Sequence, residues 1–129
     1  MSSIERFEEI EAWKRARELT NRVYDAFNAG QFANDFALRD QIRRSVISIT
    51  SNIAEGFERG GDQEFIQFLA IAKASCAETR SQLYVALDQN YINKATFQRL
   101  SGDTEAIGRL IAGFIKYLQK SPMRGNKYK

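Results

Sequence analysis

The chain has 129 residues, 43% hydrophobic and 27% charged, with 19 Lys and Arg against 16 Asp and Glu, one Cys and no His. That is apolar material for one core, and the missing histidine excludes Ser-His-Asp and Cys-His nucleophile systems, zinc-hydrolase sites and the Glu-x-x-His pairs of di-iron bundles. The lone Cys makes no intrachain disulfide, the N-terminal stretch carries Glu5, Glu8 and Glu9, and no uncharged run approaches a membrane span, so a cytoplasmic setting is expected.

Four stretches carry helical periodicity, which predicts an all-α chain. The first, residues 4–28, has Ser2 and Glu5 at capping-box spacing, acids leading and bases following, and Phe7, Ile10, Trp13, Ala16, Val23 and Phe27 on one broad face. Gly30 ends it, and the following loop holds two large aromatics, Phe32 and Phe36, which either lid the end of the domain or face another subunit.

The second helix, residues 35–58, starts after Asn34 as N-cap and repeats Ile42, Val46, Ile49, Ile53 and Phe57 as a heptad-type seam. Gly60-Gly61 closes it, with Asp62 placed to cap a third helix over 62–89. That helix repeats Phe65, Leu69, Ala72, Cys76, Thr79 and Leu83, with a second stripe of Phe68, Ile71, Ser75, Glu78, Gln82 and Val85 beside the first. Two stripes require neighbours on more than one side. After the Asn90–Asn93 break, Phe97, Leu100, Thr104, Ile107, Ile111, Phe114 and Leu118 mark a fourth helix that Ser121-Pro122 stops. The natural solution is an up-down-up-down antiparallel four-helix bundle over residues 1–121, followed by a short basic tail, 122–129.

The second helix also carries a polar stripe, Gln41, Arg44/Ser45, Ser48, Asn52 and Glu55. A turn near residues 59–62 makes facing residue numbers sum to about 122 or 123. On that register Ser48 faces Ser75, Arg44 faces Glu78 and Gln41 faces Gln82, a structural network with an Arg44–Glu78 ion pair as its charged member. Catalysis is not read from it: paired carboxylates on helices are usually ion-pair partners, and no cleft is legible. Cys76 reads as a small buried hydrophobe, and no Gly-rich phosphate motif occurs, so no catalytic residue, cofactor or metal site is expected.

For nucleic acid the candidates are Arg39, Arg43 and Arg44 on the first turns of the second helix, with Arg39 and Arg43 four apart on one face, Arg59 at its end, and Arg124, Lys127 and Lys129 of the tail with Tyr128. Asp40 lies four before Arg44, so intrahelical pairing competes. Residues 122–129 hold three of the bases and no acid, so the rest of the chain balances 16 bases against 16 acids.

Gln41, Arg43-Arg44, Ser48-Ile49, Asn52-Ile-Ala-Glu-Gly56 and Arg59, then Phe65, Phe68-Leu69, Ile71-Ala72, Ser75 and Glu78, resemble the family of proteins encoded in intervening sequences of bacterial large-subunit ribosomal RNA genes. The similarity runs from the Phe7 and Trp13 segment to Leu118 and departs from the family pattern where Ala33, in place of Pro, follows Phe32. The resemblance implies an antiparallel four-helix bundle assembled as a homopentamer. It also implies kinship with the accessory variability proteins of diversity-generating retroelements, which bind nucleic acid and a reverse transcriptase. Two functions are thus expected: a non-enzymatic, homo-oligomeric accessory or scaffold protein binding structured RNA or DNA, or an interaction module without a nucleic-acid role, favoured if the arginines of the second helix are consumed in ion pairs.

Overall fold

The structure, a computed structural model, describes residues 4–28 and 30–120. Among them all regular structure is helical: a 3-10 turn Phe7–Glu9, α1 Glu11–Phe27, a 3-10 segment Gly30–Asn34, α2 Phe36–Glu58, α3 Asp62–Asp88 and α4 Lys94–Lys120. The expected stop at Ser121-Pro122 and the tail residues Arg124, Lys127 and Lys129 lie outside the described residues. None of the described helices is long and apolar enough to cross a membrane.

α1 packs on α2 and α4, and α3 on α2 and α4, so the helices close around one core. The α2 seam and the first α3 stripe are buried throughout, as are Leu100, Thr104, Ile107, Ile111 and Leu118 of α4. The ion pairs Arg22–Asp103 (2.9 Å) and Arg80–Glu105 (3.1 Å) join α4 to α1 and α3 at partly exposed positions.

Three helix starts differ from the sequence expectation. α1 begins at Glu11, because Ile10 is extended and buried, and the preceding 3-10 turn brings Phe7 edge-on to Trp13 at 5.2 Å. Glu9 Oε1 accepts from the Glu5 N–H at 3.1 Å, and the expected cap Ser2 lies outside the described residues. At α2 the cap is Asp35 instead of Asn34: its Oδ1 accepts from the Leu38 N–H at 3.0 Å. At α3 Gly61 takes the extended cap dihedrals, which puts Asp62 inside the first turn, buried, with neither carboxylate oxygen hydrogen-bonded.

The α2–α3 contact is held by short polar side chains. Thr79 Oγ1 donates to Ser45 Oγ at 2.8 Å, Ser45 Oγ donates to Gln82 Oε1 at 2.7 Å, and Ser75 Oγ donates to Ser48 Oγ at 2.9 Å. Asn52 Nδ2 donates to the Ser48 hydroxyl and carbonyl, each at 2.8 Å. Ser48 thus meets Ser75, whereas Gln82 bonds Ser45 and Gln41 is exposed. The expected Arg44–Glu78 ion pair does not form; both side chains are exposed. One residue is about 100° of helical turn, so centring the contact on Ser45 swings Arg44 out to water. Keeping a charge pair at the surface avoids the desolvation that burying it would cost. Glu55 turns along its own helix to Arg59, at 3.0 Å. The second stripe of α3 is divided the same way, with Ser75 and Gln82 buried against α2 and Ile71, Glu78 and Val85 exposed.

Candidate nucleic-acid interface

The end of the molecule formed by the α1–α2 connection and the α3–α4 turn gathers aromatic rings and arginines. Its geometry starts at the end of α3. Asn90 adopts a left-handed conformation (φ 63°), its N–H bonds the Leu87 carbonyl at 2.9 Å, and the Tyr91 N–H bonds the Ala86 carbonyl at 2.9 Å. This is the two-bond Schellman closure that satisfies the last carbonyls of a helix. It delivers Tyr91 to the α1–α2 connection, where its ring stacks on buried Phe32 (5.4 Å, 16° between planes) and its hydroxyl donates to Asp35 Oδ2 at 2.9 Å. Asp35 therefore caps α2 with one oxygen and holds Tyr91 with the other. The bond to Asp35 raises the Tyr91 phenol above its ordinary range, with burial and the Asp35 charge acting in the same direction.

Phe32 also meets Phe27 edge-on at 5.8 Å, so it is the lid of this end of the core. Phe36, four residues on, is 68% exposed.

Arg39 and Arg43 rise from the first two turns of α2 against these rings. The Arg39 guanidinium carbon lies 5.6 Å from the ring centres of both Phe27 and Phe36, and that of Arg43 lies 5.5 Å from Tyr24 and 5.7 Å from Phe27. Such contacts contribute about 0.5–2 kcal/mol each and fix the guanidinium plane. An Arg39 Nη1 N–H donates to the Ala33 carbonyl, and the Nε atoms of both arginines are buried without a hydrogen-bond partner. The carboxylate beside Arg43 is Asp40 at 4.0 Å, a loose surface pair of the kind that contributes little; Arg39 makes no ion pair. The two guanidinium charges are oriented by rings and left largely uncompensated by carboxylates.

The other candidates sit elsewhere. Arg59 lies about 30 Å along α2 from Arg39, at 1.5 Å rise per residue, bonded to Glu55 and 5.0 Å over the Phe68 ring. Sequence reasoning found Arg39 and Arg43 by their spacing but assigned no role beside them to Phe36, Tyr91 or Asp35. The Asp35-to-Leu38 cap was within reach of helix-start rules; the Tyr91 contact was not, because it joins positions 56 residues apart.

Cys76 is buried between α3 and α4, and burial pushes its thiol up to about 12, so no thiolate nucleophile is available. Among the described residues no group of His, Cys, Asp and Glu is placed to hold a metal ion.

No curated protein matches the chain. Among solved structures, it is similar to a Bacteroides thetaiotaomicron protein of unknown function from the S23 ribosomal protein family, with a TM-score of 0.73 and 25% identity over 81% of this chain and 98% of the other. The model of the 23S rRNA-intervening sequence protein family matches residues 8–113. With the four helices and the extent of that match together, the chain belongs to the 23S rRNA-intervening sequence protein family.

Proposed function

We propose that this protein is a non-enzymatic, homo-oligomeric accessory protein, an antiparallel up-down-up-down bundle that binds structured RNA through the arginine-bearing end of α2. The observation that carries the reading is that Arg39 and Arg43 are held by aromatic faces instead of by carboxylates. Two oriented guanidinium groups four residues apart suit two phosphate oxygens, and positioning them before contact lowers the entropy lost on binding. Neighbouring Arg44, exposed on the next face, adds charge to the same segment. DNA remains within the same phosphate chemistry, and the tail bases Arg124, Lys127 and Lys129 would add to it.

Self-association is supported by the outer surface of α3. Ile71, Tyr84 and Val85 are each about half exposed there, beside exposed Ala70, Ala74 and Ala77. An open groove of about 600 Å³ between α3 and α4 continues this surface with Gly108 and Ala112 on its other wall. Small residues permit close helix approach, and large apolar ones reward it. A homopentamer is the assembly that the family resemblance implies, and light scattering at five times the 14.8 kDa chain mass tests it.

Fluorescence anisotropy with a structured ribosomal RNA fragment tests the RNA reading. Binding at low salt that is lost in the Arg39→Gln/Arg43→Gln double variant supports it; equal binding by the variant, or none by the natural chain, contradicts it. The alternative, an interaction module with no nucleic-acid role, draws on Arg59, which is taken up by Glu55. Absence of RNA binding by a correctly assembled protein favours that alternative.

A further inference from the structure

We infer that Phe36 is a stacking platform for an unpaired base, so that the RNA recognised at this end is a single-stranded loop or bulge. The inference rests on the RNA reading above and names what that site takes. Phe36 is the most exposed large hydrophobic residue described, at 68%, although Leu38, two residues on, is buried. A lone exposed phenylalanine on the first turn of a helix costs solubility and adds nothing to the core. Here its ring has the Arg39 guanidinium 5.6 Å from its centre, and Arg39 is anchored in turn by the Ala33 carbonyl and the Phe27 ring.

One side of Phe36 is thus covered by a fixed cation, and the high exposure leaves the remainder to a ligand. A base laid on that ring extends the order base, Phe36, Arg39, and places the adjoining phosphate beside Arg39 and Arg43. Exposed Gln31 and Asn34, just before it in sequence, are amide side chains of the type that pair with base edges. An aromatic, two arginines and two amides at one end of a helix are the components of recognition of unstacked bases, whereas a paired stem offers phosphates alone and no free base face. An exposed aromatic at a protein–protein contact is the competing use, and the test separates the two.

The full chain is titrated by anisotropy against a fluorescein-labelled RNA hairpin with a single-stranded loop, and against the same stem as a blunt duplex. The natural chain is expected to bind the hairpin more tightly. Phe36→Ala is expected to weaken hairpin binding by roughly 5- to 150-fold, the cost of one lost base stack, with duplex affinity, which loses only one of the two rings beside Arg39, falling much less and particle mass unchanged. Phe36→Tyr, which keeps the ring face, is expected to retain hairpin affinity. If Phe36→Ala binds the hairpin as the natural chain does, base stacking is overturned while phosphate binding by Arg39 and Arg43 stands. A change in particle mass for Phe36→Ala assigns the ring to a subunit contact and also overturns it. If the natural chain binds neither RNA, both readings fall.

Discussion

Gly56 of α2 lies directly against Phe68 of α3: a Cβ at residue 56 would stand 2.5 Å from the Phe68 Cβ and 3.0 Å from the Phe65 ring. In an open helix, alanine is preferred to glycine by about 1 kcal/mol, but forcing a methyl into a filled contact costs about 1–3 kcal/mol and moves backbone. Gly56→Ala is expected to destabilise the protein, seen as a lower urea midpoint. Gly102→Ala and Gly113→Ala, with nothing within 4 Å of the added carbon, are expected to stabilise it by about 0.5–1 kcal/mol. Equal effects at all three positions would mean that α2 and α3 do not approach as closely as described.

The Ser45, Thr79 and Gln82 network predicts a non-additive series. Ser45→Ala strips Gln82 Oε1 of its donor and Thr79 of its cross-helix acceptor, a loss of about 1–3 kcal/mol. Replacing all three residues with Ala, Val and Leu leaves no group unsatisfied and is expected to cost less than the single-site losses combined. Denaturation of the three single variants and the triple variant measures this; strict additivity would mean that the hydroxyls act independently.

Asn90 is held at φ 63°, where glycine is unstrained and a β-branched residue is not. Asn90→Gly is expected to be neutral or mildly stabilising. Asn90→Val should cost about 1–2 kcal/mol and, by displacing Tyr91, loosen the Asp35 contact at the proposed RNA end. Thermal melts and the RNA affinity of the two variants are the readouts.

Alkaline conditions should weaken the fold in two ways. Cys76 keeps its proton up to about pH 12 in the folded chain but ionises near its ordinary 9.0 when unfolded. Between these values the unfolded chain holds fewer protons, so stability falls as pH rises. Tyr91 acts in the same sense above its ordinary 10.0, its Asp35-bound phenol staying protonated longer when folded. Cys76→Ala is expected to flatten the decline in stability above pH 9, and native Cys76 to resist alkylation at pH 8 until denaturant is added. Rapid alkylation of the native chain would contradict its burial.

The core was readable from the sequence because the seams repeat at 3 and 4 residues, and Ser48–Ser75 because the α2–α3 turn fixes their register. Periodicity also left Thr79 inside an apolar seam, where its hydroxyl is satisfied by Ser45 and by the Ser75 carbonyl. Arg44 and Ser45 are neighbours, and only packing decides which of them enters the contact. Phe32 and Phe36 are chemically identical; the 3-10 turn and the α2 cap, neither of which has a repeating pattern, bury one and expose the other. The proposed RNA end was legible only as a pair of arginines, since its aromatic partners come from three separate parts of the chain.

The salt dependence of RNA affinity tests the proposed function most directly. Each neutralised phosphate steepens the fall of log affinity with log salt by about 0.7 for single strands. With Arg39 and Arg43 each on a phosphate, the Arg39→Gln/Arg43→Gln variant should lose about 1.4 from that slope and bind more weakly at low salt. An unchanged slope in the variant, with its assembly intact, would contradict RNA binding at this end of α2.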